Sequence, residues 1–416
     1  MGGLVNRFRW GVTMASAETA TKHDVPYSRP VVAPETGAAV QRVLRSGWLT
    51  TGPECAAFEE ELAAWLGVPY AVTVSSCTAA IEIALRGLRL PRDAKVLVPA
   101  ITFCGAVEAV RHAGLVPVVA DVEPDTGTVS PRTCAAAARE AGGVQAMLAL
   151  HFAGYPADVA ALADAVGLTL DQVVEDAAHA LGTRVGDELV GGLSRATCFS
   201  FYATKNLPIG EGGMLTTRDE EFAAQARVTR LHGMTSDAWR RYLPGGSWRY
   251  SVEEAGLKAN LSDVHAAIGR AQLRHLDDWQ ARRHELVARY AAGLADVPGL
   301  GLPSDPPTGE HAWHLYVVRV TPETGVTRDD LAQLLAERGI GTSVHFIPLH
   351  HFPHFRDICI VPSAGLPGAD AVFAETLSLP LHQGLTDEDV DTVVDALHEL
   401  APGSAPATHH YQEALP

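Results

Sequence analysis

The sequence predicts an α/β protein with a mostly parallel sheet, followed by a smaller α+β domain toward the C-terminus. The chain has 416 residues, which is enough for two or three domains with large buried cores. Hydrophobic residues make up 47% and charged residues 19% of it, as in ordinary globular proteins. Short apolar segments alternate with helical patterns in the first half, and parallel strands joined by helices produce this alternation.

The elements of the first half follow from apolar spacing and from the residues that begin or end helices. An amphipathic helix between Cys55 and Leu66 ends at Gly67. The segments after it are short and continuously apolar, which is typical of strands covered on both faces. We predict strands at 71–74, 95–98, 116–122, 146–152, 173–176 and 197–201, with helices at 78–88, at 105–113 and from Ser130 onward.

The second half predicts a bridge and a smaller unit. A helical pattern starts at Asp263 and continues without a breaker toward Tyr290, so we expect one long helix between the domains. Residues 297–309 are rich in proline and glycine and end this helix. We predict that the smaller unit contains strands 314–320 and 342–346, a helix between Thr327 and Gly339, and a last helix from Thr386.

Both ends of the chain lack a periodic pattern, and the C-terminal end is rich in proline, alanine and histidine. We therefore expect tails at both ends. The predicted division is an N-terminal tail at 1–28, a large domain at 29–265, a small domain at 266–400 and a C-terminal tail at 401–416.

Charge and composition exclude several classes of partner. The chain has 49 acidic and 32 basic residues, and the net charge of −17 repels nucleic acid and anionic membranes. Its longest mostly apolar stretch, Val96 to Val107, is too short to cross a bilayer. No apolar leader follows Arg7 and Arg9, and the six cysteines form no C-x-x-C pair. We expect a cytoplasmic protein with reduced thiols that binds neither nucleic acid nor membrane.

Reactive side chains stand where two strands end. Asp176 ends one predicted strand and Ser200 lies near the end of the next. Lys205 follows in the loop and is the first residue of a glycine-rich segment, KNLPIGEGG. The carboxyl ends of parallel strands share one edge, where ligands of open sheets bind. A lysine amine and a buried carboxylate are what pyridoxal 5'-phosphate needs, since the amine bonds to its aldehyde and the carboxylate keeps its ring nitrogen protonated. Taken singly, each residue is also compatible with a turn cap or a solvated loop.

Two further segments offer the rest of a cofactor site. SSCTAA at 75–80 opens a helix after a strand, so its backbone N–H groups and the helix dipole favour a phosphate group. The serines there are equally compatible with simple helix caps. Phe103 follows another strand at the same edge, where it either stacks on the cofactor ring or belongs to the core.

At this point the sequence resembles the DegT/DnrJ/EryC1/StrS family of sugar aminotransferases, which depend on pyridoxal phosphate and have the type I aminotransferase fold. The resemblance covers roughly residues 26–400. The blocks that carry it, in order, are SGWLTTGPECAAFEEELAAWLGV, SSCTAA, VPAITFCGAVEAVRHAGLVPVVADV, VVEDAAHALG, SFYATKNLPIGEGG, LHGM and SDVHAAIGRAQL.

The resemblance implies roles for individual residues. Lys205 would be the Schiff-base lysine and proton shuttle, Asp176 the partner of the ring nitrogen, and His179 a residue beside the ring. His345 would point toward the substrate. The remaining cofactor contacts would come from the phosphate ligands Ser200, Cys77 and Thr78 and from the stacking residue Phe103.

Two departures from the family pattern stand out. Cys77 replaces a usual glycine, so either this position needs no positive φ or the phosphate turn differs. Lys258 and Asn260 stand where Asn and Arg are more common. In the family this segment reaches the cofactor phosphate of the neighbouring subunit, and Lys258 would do so with a charge-assisted contact. The resemblance therefore implies a homodimer with shared active sites.

Two other segments leave alternatives. The basic and aromatic residues Trp239, Arg240, Arg241, Trp248 and Arg249 either grip the diphosphate and base of a nucleotide or belong to an incidental surface loop. His350 and His354 are four residues apart, but Pro353 breaks the helix that would align them, so we predict no metal site.

The resemblance implies an aminotransferase that moves an amino group from L-glutamate or L-glutamine to a ketone. We expect a nucleotide-linked 4-keto-6-deoxyhexose carried by dTDP or UDP, and the main alternative is a cyclitol ketone of the scyllo-inosose type. Dehydratases of the family are a further alternative, although they have histidine where Lys205 stands. A cofactor-binding regulator is another, but the short segment before Pro30 cannot supply a DNA-binding domain.

Overall fold

The computed structural model describes residues 24–235 and 249–401. Its helices are α1 (Thr36–Ser46), α2 (Pro53–Leu66), α3 (Cys77–Gly87), α4 (Cys104–His112), α5 (Pro131–Glu140), α6 (Val159–Ala165), α7 (Glu220–Thr229), α8 (Asp263–Leu273), α9 (Leu276–Leu294), α10 (Arg328–Glu337), α11 (Pro353–Ile358), α12 (Pro367–Glu375) and α13 (Asp387–Leu400). Within these two ranges, no helix combines the length and the apolar character that crossing a membrane requires.

The strands form one large and two small sheets. The large sheet has the order β1-β9-β8-β5-β4-β2-β3, and the small ones are β10-β11-β12 and the pair β6-β7. The strands are β1 (Tyr70–Val74), β2 (Lys95–Pro99), β3 (Val116–Ala120), β4 (Ala146–Leu150), β5 (Val173–Asp176), β6 (Arg184–Val185), β7 (Glu188–Leu189), β8 (Ala196–Ser200), β9 (Gly213–Thr217), β10 (Leu300–Gly301), β11 (Tyr316–Val320) and β12 (Thr376–Leu379).

The large sheet is the mostly parallel sheet predicted from the sequence. β9 runs antiparallel to both of its neighbours, β1 and β8, while the other pairs are parallel. The carboxyl ends of the six remaining strands therefore share one edge. Nearly every strand residue is buried, because helices cover both faces.

A second hydrophobic core lies between α9, α13 and the three-stranded antiparallel sheet, with Leu286, Tyr290, Val318 and Val393 at its centre. This is the smaller α+β unit. The helix expected to run from Asp263 to Tyr290 is two helices, because α8 ends at Leu273 and α9 starts at Leu276. The expectation of one continuous helix was therefore wrong. The sequence has no proline or glycine at the break, and α8 packs on α1 and α2.

The predicted strand 342–346 is also wrong. Only Ser343 in this segment makes a β-bridge, to Ser378, and the chain then leaves the sheet toward the cavity described below. Phe346, one of the apolar residues that suggested a strand, packs against the core of the large domain instead.

The sequence predicts that residues 24–28 belong to a tail, but Val25 is fully buried in the second core. Its N–H donates to Gly339 O and its carbonyl accepts from Gly341 N, both at 2.9 Å. The division of the chain at residues 265 and 266 stays a prediction. Because α8 packs on α1 and α2, we propose a boundary near Leu276, with residues 24–28 added to the small domain.

Candidate active site

A cavity of about 600 Å³ opens at the carboxyl edge of the large sheet. Its walls come from the ends of several strands, from the start of α3 and from the segment around His345. The structure brings eight of the nine predicted site residues to this cavity: Cys77, Thr78, Phe103, Asp176, His179, Ser200, Lys205 and His345.

Lys205 lies in the loop after β8, with its side chain partly exposed to the interior of the cavity. Its Nζ lies 3.4 Å from His314 Nε2. Burial lowers the pKa of the Lys205 amine to about 8, although the neighbouring Cys77 and Asp176 oppose the shift. A substantial fraction of the amine is therefore neutral near pH 8, as a nucleophile must be.

Asp176 is the last residue of β5 and is almost completely buried. Its carboxylate accepts a hydrogen bond from Ala178 N at 3.1 Å and contacts Cys77 Sγ at 3.7 Å. Burial raises the pKa of Asp176. In the described ranges, no lysine, arginine or histidine nitrogen lies within ion-pair distance of this carboxylate. A buried acid without a close cation is suited to partner the protonated ring nitrogen that the cofactor would supply.

Glu175, the residue before Asp176 in the sequence, contacts His151, and both side chains are fully buried. His151 Nδ1 accepts from Ala157 N at 3.1 Å, so its Nε2 carries the hydrogen that it donates to Glu175 at 2.9 Å. The pKa of Glu175 is lowered overall. Burial alone would raise it, but the hydrogen bonds from His151 and from the hydroxyl groups of Ser194 and Thr197 together have the larger effect. This pair fixes the end of β5, and no motif in the sequence indicates it.

We expect His151→Leu to destabilise the protein by about 2–4 kcal/mol, because a buried carboxylate loses a donor. Urea unfolding measures the loss. The double variant His151→Leu/Glu175→Gln is the control, since it removes the charge and keeps an acceptor for Ser194 and Thr197. If the double variant is as unstable as the single one, the loss comes from packing and not from the unpaired charge.

The start of α3 forms a cradle for an anion. Ser76 caps the helix by accepting from Ala79 N at 3.1 Å, and the N–H groups of Cys77 and Thr78 lie in the first turn, where they have no partner within the helix. Gly213 packs closely against the backbone of Ser76, because a Cβ at position 213 would lie only 2.5 Å from the carbonyl carbon of Ser76. Cys77 has no positive φ, so glycine is not required at this position.

Two further histidines, His179 and His345, line the cavity with Lys205. His179 is buried, and its Nδ1 accepts from Ala153 N at 3.2 Å, which leaves the hydrogen on Nε2. His345 Nδ1 lies 2.9 Å from Ser378 Oγ. Burial lowers the pKa of His345 to about 4, so both rings are neutral at neutral pH, because burial also lowers the pKa of His179. They can orient polar groups without adding charge.

Phe103 is 58% exposed at the mouth of the cavity, and its ring centroid lies 6.2 Å from that of Phe346. Its ring is accessible from the cavity, as a stacking residue requires.

Sequence reasoning missed several wall residues. His314 precedes β11 and was assigned to a strand, while Tyr27 and Ser28 lie in the segment assigned to a tail. One signal was present for His314: the spacing of His311 and His314 directly before an apolar strand. Nothing in the sequence distinguishes the other two.

Lys258 does not line this cavity. It is exposed, and its amine contacts Asn260, whose amide donates to Thr51 Oγ1 at 2.7 Å. Of the basic and aromatic residues proposed to grip a nucleotide, Trp239, Arg240, Arg241 and Trp248 lie outside the described residues.

The histidines first considered for a metal have local partners. His350 and His351 both contact one oxygen of Asp370, at 2.8 and 2.7 Å, so these three ligand atoms do cluster. His354 lies 3.5 Å from Glu108. The pair considered from the sequence, His350 and His354, therefore does not share a partner.

Comparison with known proteins places this geometry in a family. Residues 31–398 match the DegT/DnrJ/EryC1/StrS aminotransferase family. The spore coat polysaccharide biosynthesis protein SpsC of Bacillus subtilis is 42% identical over 387 residues, which cover 92% of this chain and 98% of SpsC.

Solved structures agree with that assignment. The aminotransferase TlmJ of Streptoalloteichus hindustanus is 34% identical with a TM-score of 0.80, and the alignment covers 90% of this chain and 98% of TlmJ. The PMP form of Spr1654 of Streptococcus pneumoniae, assigned as a sugar aminotransferase, is 30% identical with a TM-score of 0.83 over 91% of this chain and 99% of its own. These similarities confirm the predicted fold. The chain belongs to the DegT/DnrJ/EryC1/StrS aminotransferase family and is a pyridoxal-phosphate-dependent aminotransferase.

Proposed function

We propose that the enzyme transfers an amino group from L-glutamate or L-glutamine to a nucleotide-linked 4-keto-6-deoxyhexose. The observation that carries the proposal is the meeting of Lys205, Asp176 and the α3 cradle in one cavity. SpsC takes part in polysaccharide biosynthesis by its name, and Spr1654 is assigned as a sugar aminotransferase. Both support a sugar as the amino acceptor.

When bound, pyridoxal phosphate supplies an electron sink that stabilises negative charge on the carbon that loses a proton. Lys205 would hold the cofactor through its amine and, once released, move that proton. Asp176 would keep a positive charge on the ring nitrogen. Cys77 and Thr78 N–H groups and the Ser200 hydroxyl would bind the phosphate, and His179 would lie beside the ring.

The opposite wall is suited to an acceptor. Tyr27 and His345 lie side by side, with ring centroids 5.9 Å apart, and both line the cavity. Tyr202, two residues after the end of β8, is 47% exposed, and the exposed residue Glu211 also lines the cavity. We assign the keto group to the His345 side and the nucleotide to the open mouth.

We also propose a homodimer in which each subunit completes the other's site, in the cytoplasm. Lys258 and the neighbouring residues 249–255 are mostly exposed, so the Lys258 amine and this segment are accessible to a second subunit. All six cysteines are unpaired, which fits a reducing compartment.

Mixing two impaired variants tests the shared site. Lys205→Ala removes the amine from its own site. We expect Lys258→Glu to repel the cofactor phosphate in the partner's site and so to lower the affinity for the cofactor by more than about tenfold. A mixed dimer then contains one intact site, so mixing after dissociation should restore activity. Absence of any restoration in a proven mixed dimer would contradict the shared site, as would a fully active monomer in sedimentation.

Amine transfer from ¹⁵N-glutamate and ¹⁵N-glutamine tests the substrate. We expect labelled amino sugar from a dTDP- or UDP-4-keto-6-deoxyhexose, detected by mass spectrometry, and none from the same sugar without the nucleotide. Transfer to scyllo-inosose instead would identify a cyclitol enzyme. Loss of water from the sugar without label would indicate a dehydratase, and cofactor binding without turnover of any ketone would indicate a regulator.

A further inference from the structure

His314 contacts Lys205 without belonging to any motif that identified the site. Its Nε2 lies 3.4 Å from Lys205 Nζ, and within residues 24–235 and 249–401 it is the hydrogen-bond partner of that amine. The imidazole is 5% exposed. Its ring centroid lies 4.5 Å from that of His179, so the two rings lie together beside the lysine.

A chain of amides fixes which nitrogen of His314 carries the hydrogen. Gln280 Nε2 donates to Ala312 O at 2.6 Å, which turns Gln280 Oε1 toward Asn206. Asn206 Nδ2 faces this oxygen at 3.3 Å and Ala312 O at 3.0 Å. The oxygen of Asn206 is therefore left to face His314 Nδ1, at 3.1 Å. Because that oxygen only accepts, Nδ1 carries the hydrogen and Nε2 presents a bare lone pair to the lysine.

The backbone around His314 is held as firmly as the ring. Its N–H donates to Ala153 O at 2.9 Å, and Ala312 N donates to Gly154 O at 3.1 Å. The residue between them, Trp313, has a φ of 46°, in the left-handed region that non-glycine residues rarely occupy. Such a conformation persists where the surroundings determine it, and it often marks functional positions.

His314 remains neutral in this setting. Burial lowers its pKa well below the usual value, and the positive charge of Lys205 adds to the effect. The groups that titrate around the amine, from every element that lines the cavity, are Tyr27, Cys77, Asp176, His179, Tyr202, Glu211, His314 and His345. Among them, His314 is the one whose ring nitrogen lies within hydrogen-bond distance of Lys205 Nζ.

We propose that His314 is a positioning residue, which accepts a hydrogen bond from the Lys205 amine at Nε2 and holds the amine in place whenever it is not bonded to the cofactor. The inference rests on the proposed role of Lys205. In that role the free amine takes up a proton from one carbon and returns it to another, and the ammonium form donates to His314 more strongly than the neutral amine does. Removing the acceptor should therefore make the ammonium form less stable.

The basicity of Lys205 in cofactor-free enzyme provides the test. The chain has four lysines, Lys22, Lys95, Lys205 and Lys258, so trace acetylation across a pH series and peptide mass spectrometry resolve each amine. In His314→Phe we expect the pKa of Lys205 to fall by about one pH unit or more, since charge-assisted hydrogen bonds have this strength. Lys95 and Lys258 are internal references that should not change.

Two other variants make the outcome specific. His314→Gln keeps an acceptor oxygen and should restore most of the pKa. His311→Phe removes another buried histidine, one that accepts from Trp313 N and has no contact with Lys205, and should leave the pKa unchanged. In the loaded enzyme we expect kcat of His314→Phe to fall about tenfold or more, with KM for the amino donor nearly unchanged.

The proposal is overturned if folded His314→Phe has a Lys205 amine as basic as that of the natural chain. It is equally overturned if His311→Phe produces the same shift. Borohydride reduction of the loaded natural enzyme separates this failure from failure of the proposed function. Cofactor fixed to the Lys205 peptide, together with an unshifted pKa, rejects only the role of His314, whereas cofactor fixed elsewhere rejects the role of Lys205.

Discussion

We expect Lys205→Ala to abolish aminotransferase activity, with kcat lowered by about 10⁴-fold or more, because one substitution removes both the covalent attachment and the proton carrier. Reduction of the natural enzyme with borohydride should leave the cofactor on the Lys205 peptide, and the variant should retain none. The protein should still fold, because the amine has a single hydrogen bond, to His314, among the described residues.

Lys95→Ala is the matched control. Lys95 begins β2, and its amine contacts the carbonyl of Ala141, away from the cavity. It should retain normal turnover and cofactor attachment. An unchanged rate in Lys205→Ala, or a lost rate in Lys95→Ala, would contradict the assignment.

The same lysine predicts a pH dependence. Burial lowers the pKa of its amine to about 8, and only the neutral amine attacks the cofactor aldehyde. The rate of cofactor attachment to cofactor-free enzyme should therefore rise as the pH increases through about 8 and level off above it. Stopped-flow absorbance measures this rate.

The second large effect is expected at Asp176. Asp176→Asn should still bind the cofactor, since the phosphate cradle and Lys205 remain, but kcat should fall about 10²- to 10⁴-fold. A neutral amide cannot stabilise a positive ring nitrogen, so the cofactor withdraws electrons less strongly. Titration of bound cofactor and steady-state kinetics, measured on the same preparation, separate binding from turnover.

Asp121→Asn provides the comparison for this variant. Asp121 directly follows β3 at the same sheet edge, but its carboxylate accepts from Gly368 N and Ala369 N at 2.9 and 2.8 Å and does not line the cavity. We expect a small loss of stability and normal turnover. Equal losses of turnover in the two variants would mean that any change at this edge disturbs the enzyme, and the specific role of Asp176 would fail.

The large domain could be predicted because local signals agree with its fold. Each strand of the sheet is a short apolar segment, and caps such as Ser76 and Ser130 mark where helices begin. Asp176, Ser200 and Lys205 could be brought together in advance because parallel strands present their carboxyl ends at one edge.

The errors lie where tertiary contacts override local pattern. The break between α8 and α9 contains Arg274 and His275, neither of which breaks helices, and His275 instead contacts Glu35 at 3.1 Å. Segment 342–346 has the composition of a strand, but its aromatic side chain packs on the large domain. The spacing of His311 and His314 indicates a position, but the role of His314 could not be predicted because it depends on Asn206 and Gln280, which approach it only after folding.

The pairing of Val25 with residues 339–341 has a practical consequence for expression of the gene. Tyr27 and Ser28 form part of the cavity wall. The hydrogen bonds of Val25, just before them, attach this N-terminal segment to the small domain. A clone trimmed to begin at Pro30 would lose this attachment and two wall side chains at once. A purification tag is therefore better joined upstream of Asp24.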